Sequence, residues 1–296
     1  MNRTHALALA SGLAATFTAA FLLSGCSTSG GTTSSLSDPV VSFAHVHELV
    51  ARQQDGGLLV ATHEGIYRLL IDANGSTTAV GPLGGLDFDP MGFTIAEGTA
   101  YASGHPGPGT PASFGTPNLG LITSSDLGET WTNVSLTGVT DFHALAVMTG
   151  EDGLPRVLGV DPGKPRLQRS SDGGLTWSDG DELVARDILV VGTTLYATTP
   201  EGLAISEDDG MSFTLDPTAP ALYLAAADHQ GALAGIDTTG TLWTRGPGQK
   251  WVHGPTVTGT PQALAIDRAR TYVADDRGIA VTEDAGATWI VLEVRG

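Results

Sequence analysis

Five of the chain's eight histidines fall in short stretches that also carry acids and a methionine. His47, Met91 and His143 each open an apolar run, and His45, Asp89 and Asp141 stand two residues upstream of them. Residues two apart in an extended chain share a face, so each pair projects from one side of a strand. His63 and Glu64 close the run Leu-Leu-Val-Ala-Thr, and His105 heads a Pro/Gly-rich segment ending at Pro117. Imidazole with thioether suits copper, and imidazole with carboxylate suits zinc or another divalent ion. On that reading His47 and His143 are direct ligands and Met91 is a soft one. His45, His63 and His105 are then either ligands or their supports. A purely structural, hydrogen-bonded cluster is the competing expectation. Asp87, Asp89, Asp141 and Glu64 also offer a carboxylate pair for glycoside hydrolysis, where a separation of about 5–9 Å would decide the mechanism.

The elements that must position these residues are set by a repeat. Ser124 to Trp131 reads Ser-x-Asp-x-Gly-x-Thr-Trp, as does Ser170 to Trp177, and Thr282 to Trp289 differs only in its first residue. Ser206 to Phe213 is a softer copy. Thr244 to Trp251 keeps the frame with Gly246 in the Asp place, and Ile71-Asp72 to Gly75 is a worn first copy. In such a frame the carboxylate accepts backbone N–H groups, the Gly takes a positive φ, and the Trp starts the next strand. From Asp126 onward the copies step by 46, 36, 38 and 38 residues, with 54 between Asp72 and Asp126. A period near forty residues is that of a propeller blade. The motif resembles the BNR/Asp-box repeat of sialidases and other propellers. That resemblance implies that Asp126, Asp172, Asp208 and Asp284 are scaffold, remote from any chemistry.

The expected fold is therefore all-β, a β-propeller with Asp-box turns. Inner strands are expected at His47–Val50, Met91–Ile95, His143–Val147, Asp187–Val191, Tyr223–Ala227 and Gln262–Ile266. These count six blades, or seven if Pro39–Phe43 supplies more than an edge. Strands alternate in direction outward from the channel, so the starts of the inner strands and the turns bearing His63 and His105 share one face. The five histidines thus converge on one channel mouth, leaving His5, His229 and His253 elsewhere. The His105–Pro117 segment is either a lid over that mouth or a plain surface loop.

The N-terminus carries an address. Arg3 precedes an apolar run from Ala6 to Leu23 that Ser11, Gly12, Thr16 and Thr18 interrupt, a secretory layout rather than a membrane span. Leu23-Ser24-Gly25-Cys26 resembles the bacterial lipobox, which implies cleavage before Cys26 and its acylation, with stable anchoring by several chains. The expected organisation is a leader over 1–25, the lipidated Cys26 with a Ser/Thr/Gly-rich tether over 26–38, and a propeller over 39–296. With this single cysteine no internal disulfide forms, and the core must hold the domain. Without the leader, 13 basic residues face 32 acidic ones, a net charge of −19. That excludes nucleic acid as a partner and favours cations over anionic glycans. The expected setting is the bacterial cell envelope, with the membrane met through the lipid and a monomer binding a metal ion or small ligand at the channel mouth.

The order of the lipobox, Phe43-Ala44-His45-Val46-His47, Ala61-Thr62-His63-Glu64-Gly65, Asp89-Pro90-Met91-Gly92-Phe93, Ala102-Ser103-Gly104-His105-Pro106 and Asp141-Phe142-His143-Ala144-Leu145 resembles a family of bacterial lipoproteins commonly labelled sialidase-like or glycosyl hydrolase. The resemblance covers the mature chain, but fold does not carry function. Sialidase chemistry needs an arginine triad, a tyrosine nucleophile with a glutamate partner, and an acid aspartate. Only Arg186 lies near the start of an inner strand and only Tyr223 stands on an inner rung, while Arg52, Arg68, Arg166, Arg169, Arg245 and Arg268 fall elsewhere. The leading expectation is a binding propeller that takes a metal, copper first and zinc next, on its histidine-rich face. A glycosyl hydrolase is the alternative, and a protein–protein interaction module the third.

Overall fold

The computed structural model describes residues 39–52, 56–72, 74–268 and 270–296. The leader, Cys26 and the whole tether lie outside the described residues. Six sheets follow one another along the chain, each with four antiparallel strands in sequence order, and the first gains a fifth strand from the C-terminus. Their innermost strands are Val46–Ala51, Asp89–Ala96, Ala144–Thr149, Ile188–Val191, Leu222–Ala227 and Ala263–Asp267, close to the expected positions. The molecule is a six-bladed β-propeller.

Burial follows the radial order of the strands. The second strand of blade one, Leu58–Thr62, is buried at every position. A sheet covered on both faces selects a continuous apolar run, where a half-exposed strand would alternate. The outermost strands Thr214–Leu215 and Ile290–Val291 are exposed and only two residues long, and short edges offer little to pair with another chain. The core lies between blades. Leu59, Ile66, Phe88, Phe93 and Trp131 pack blade one on blade two. Val46, Leu58, Tyr272 and Ile279 pack blade one on blade six.

Blade one closes the ring. The C-terminal strand Val294–Arg295 runs parallel to Thr77–Val80 as a fifth strand, and Val40 bridges Arg295 from its other side. Val41 N–H donates to the Val294 carbonyl at 2.8 Å, and Gly296 N–H to that of Pro39 at 3.0 Å. The Pro39–Phe43 segment is thus used up on this edge, and the seventh blade left open by the sequence does not form.

The Ser-x-Asp-x-Gly turns lock the third strand of a blade to its fourth. In the first full copy, Thr130 donates its N–H at 2.8 Å and its hydroxyl at 2.6 Å to the Asp126 carboxylate. Ser124 Oγ accepts from Gly128 N–H at 2.7 Å while its own hydrogen goes to Asp126. Asp172, Asp208 and Asp284 repeat the pattern. These hydroxyl and N–H donors hold the carboxyls of Asp126, Asp172 and Asp208 down at about 2. Gly174 sits at φ +93°, where a Cβ would also collide with Leu121 of the preceding blade. At Gly246 the frame survives without a carboxylate, as a turn closed by Gln249 N–H on the Gly246 carbonyl. Asp72 accepts from Asn74 and Ser76 N–H, the local turn of a worn copy.

Candidate metal centre

Three local devices bring the histidines to the channel mouth. The first is a bulge at the start of the inner strand. In blades one, two and five the register slips between Val46 and Glu48, Pro90 and Gly92, and Leu222 and Leu224. The extra residues are His47, Met91 and Tyr223. A bulge places two residues opposite one and re-aims the side chain, so all three turn toward the mouth. The second is an aromatic wedge beside each acid. Phe88, next to Asp89, packs edge-on against Trp131 at 5.4 Å, and Phe142, next to Asp141, lies 4.9 Å from Trp177. The tryptophans of the repeat turns therefore brace the strands that carry the acids. The third is a set of cross-blade hydrogen bonds: Phe142 N–H to Ser103 Oγ, Val46 N–H to Gln262 Oε1, and Ala225 N–H to Asp187, each at 2.9 Å.

His45, His47 and His63 present ring nitrogens that all lie within 4.8 Å of one another. His47 Nε2 and His63 Nδ1 are 3.3 Å apart. Asp89 reaches over from blade two, its Oδ1 2.9 Å from His47 Nε2 and its Oδ2 3.1 Å from His63 Nδ1. His45 stacks on His63 with centroids 5.2 Å apart and meets His47 edge-on at 4.9 Å. The rings differ in exposure: the His47 side chain is 7% accessible and that of His63 50%. Burial, then the neighbouring His47, His63 and Arg186, pushes the His45 imidazole down, toward the neutral form that binds metals. Burial pushes the Asp89 carboxyl up, but hydrogen bonds and charge from His47 and His63 outweigh it and hold it below the usual range.

A second corner forms one blade on. His105 Nε2 and His143 Nε2 lie 3.2 and 2.8 Å from the same oxygen of Asp141. His143 and Met91 also line the roughly 520 Å³ cavity bounded by His45, His47 and His63. Its far wall is Arg186, whose guanidinium lies over Tyr223 at 4.4 Å and donates to the Gln262 carbonyl at 2.6 Å. Arg186 is the one arginine among the described residues lining this cavity, so the triad a sialidase needs does not assemble there.

The sequence-predicted residues thus divide. His45, His47, His63, Met91 and His143 share the cavity, and His105 joins through Asp141. Asp89 and Asp141, expected as catalytic acids, are each held by two histidines. Glu64 is exposed and does not line the cavity. Asp87 is used as a loop anchor, accepting Gly109 N–H at 2.9 Å. That bond, with Phe114 packed into the core beside Phe88 and Trp131, ties down the His105–Pro117 segment, and none of residues 106–117 lines the mouth cavity. Asp126, Asp172, Asp208 and Asp284 do not line it either. His229 lines the channel, and His253 meets Trp243 edge-on at 4.8 Å.

Sequence reasoning missed the neck of the channel. Glu48 and Asp187 line both the mouth cavity and the roughly 330 Å³ channel beneath it. Burial, aided by Asp187, pushes the Glu48 carboxyl well up, and burial pushes that of Asp187 to about 6 against the pull of Arg186. The signal available in the sequence was an acid inside or at the head of an otherwise apolar inner strand.

No protein-family model matches the chain, and no curated protein is similar to it in sequence. Solved structures resemble its fold. A chain of the nidogen/laminin complex superposes with a TM-score of 0.60 at 14% identity, over 79% of this chain and 91% of that one. PorZ, a surface component of the type-IX secretion system of Porphyromonas gingivalis, gives 0.55 at 15% identity, over 85% of this chain and 33% of its own. The GH74 xyloglucanase of Xanthomonas campestris gives 0.54 at 17% identity, over 86% of this chain. This chain spans 46% of the xyloglucanase and 33% of PorZ. At these identities the likeness establishes the propeller fold alone.

Proposed function

We propose that this is a transition-metal-binding propeller, anchored at a membrane surface through Cys26 and seating a cation at His45, His47 and His63. One observation carries the reading: two imidazole nitrogens stand 3.3 Å apart with a carboxylate against both. With metal–nitrogen bonds of about 2.0–2.1 Å, neighbouring ligands of a tetrahedral site stand about 3.4 Å apart. His47 and His63 already hold nearly that spacing. Asp89 contacts those same two nitrogens, so its carboxylate would join the imidazoles as a further ligand of the seated cation. Met91 lines the same cavity, and imidazole with thioether favours copper.

The test is metal content. The full chain, purified without a histidine tag, is dialysed against copper(I), copper(II) and zinc separately and assayed by mass spectrometry. The reading expects stoichiometric copper in the native chain and its loss in a His47→Ala/His63→Ala variant that still folds. Failure of the native chain to retain metal, or full retention by the variant, contradicts it.

A second reading, hydrolysis of a glycan, is favoured by Asp89 and Asp141 at one mouth and by the fold likeness to a xyloglucanase. It expects release of sugar from a plant β-glucan and its loss in Asp89→Asn. Binding of copper without hydrolysis would set this reading aside.

A further inference from the structure

The geometry points to a second, separate cation seat at His105, Asp141 and His143, suited to zinc or a similar divalent ion, so that one face holds two unlike cations. This rests on the proposal that the face binds cations at all.

The placement repeats by blade. His63 follows the second strand of blade one and meets Asp89, which leads into blade two. His105 ends the second strand of blade two and meets Asp141, which leads into blade three. Each acid then takes one further histidine from an inner-strand start, His47 in the first corner and His143 in the second. Met91, on the intervening blade, lines the cavity beside them.

Three features make the second corner a seat in its own right. Its donor atoms already lie near ligand spacing, with nitrogen–oxygen separations of 3.2 and 2.8 Å. A tetrahedral zinc site needs about 3.4 Å between such atoms, so the corner has to open by about 0.2 Å at His105 and about 0.6 Å at His143. The other ring nitrogen of His105, Nδ1, faces the Pro117 carbonyl at 3.4 Å, the kind of outer contact that fixes a ligating imidazole. Finally, Asp141 turns one oxygen to both histidines, while its Oδ1 is buried with no hydrogen-bond partner among the described residues. A buried polar oxygen left without a partner is costly, and a cation held by this carboxylate would give it one.

The two corners differ in softness. The first offers three imidazoles and the Asp89 carboxylate beside a thioether, so what sets it apart is the third imidazole and Met91. The second offers two imidazoles and a carboxylate, a set that suits zinc better than copper(I). Filling one therefore leaves the other open to a different ion.

The experiment is sequential loading of the full chain in a Cys26→Ser background, which removes the thiol as a ligand. The protein is saturated with copper(I) kept reduced by ascorbate, then titrated with zinc, and both metals are counted after desalting. The expected result is about one zinc beside the copper, with zinc affinity falling by at least about 100-fold in His105→Ala or Asp141→Asn while copper stays. His105 is 43% accessible, so its truncation leaves the fold intact and keeps the test valid should the Asp141 variant misfold. In His47→Ala/His63→Ala the copper is lost and the zinc remains. Zinc that fails to bind the copper-loaded chain, or binds His105→Ala unchanged, overturns the second seat while leaving the first standing. An unsubstituted chain that binds zinc at this corner but takes up no copper would refute the first and keep the second.

Discussion

Truncating Phe142 to alanine should unseat one corner of the site and destabilise the ring measurably. Phe142 is fully buried between Asp141 and His143, with its ring 4.9 Å from Trp177 and against Gly159, where a Cβ would strike it. A buried aromatic side chain covers roughly 150–250 Å², and its pairing with another ring adds about 0.5–1.5 kcal/mol. At about 25 cal/mol per Å² the burial is worth roughly 4–6 kcal/mol, of which alanine keeps a part. The expected loss is about 3–5 kcal/mol, the usual range for Phe→Ala in a core. For a domain of this size that lowers Tm by roughly 6–20 °C. Phe142→Leu keeps most of the volume and should cost about 1–1.5 kcal/mol. Thermal unfolding followed by circular dichroism measures the cost. Counting bound zinc in the folded Phe142→Ala protein reports the site, and the second seat should weaken while copper at His45–His47–His63 holds. A cost below about 1 kcal/mol would refute the claim that the wedge supports this corner.

Other outcomes follow from the same structure. The carboxyls of Asp126, Asp172 and Asp208 titrate at about 2, below their unfolded value, so their stabilisation is complete above the ordinary carboxylate range and is lost as pH falls toward 2. Asp172→Asn should flatten the fall of Tm between about pH 4 and pH 2. Asp187 has the opposite sign: raised to about 6, it favours the fold below its unfolded pKa, and that contribution is lost as pH rises through about 6. Asp187→Asn should therefore leave stability at pH 7 equal or higher and remove a decline between about pH 4 and 6. A steeper decline in that window would count against the buried-acid reading. Gly174→Ala, at φ +93° and against Leu121, should cost about 1–3 kcal/mol, whereas Gly173→Ala, at φ +74° in open space, should cost about 1 kcal/mol. Denaturant midpoints of the two variants check the order.

Much of the ring was legible because its causes are local. The turn motif names the junction of the third and fourth strands in each blade, and the apolar runs name the inner strands to within a residue or two. The convergence of His45, His47, His63, Met91 and His143 was legible for the same reason, since residues at one rung of successive blades must meet at one mouth. Partnership was not. Asp89 stands two residues before Met91 in sequence, yet it serves His47 and His63 of the preceding blade, because each inner-strand lead-in crosses toward its neighbour's turn. The bulges at His47, Met91 and Tyr223 have no signature in residue type, and they decide which side chains face the cavity. Glu48 follows His47 directly, and strict alternation would send the two to opposite faces; the bulge at His47 relaxes that rule, and both line the mouth.

X-ray absorption at the copper edge of the singly loaded chain tests the central claim most directly. The account predicts scattering from two or more imidazoles at about 2.0 Å, diminished in His47→Ala and again in His63→Ala. A spectrum without imidazole scattering, or one that both substitutions leave unchanged, would place the copper elsewhere and contradict it.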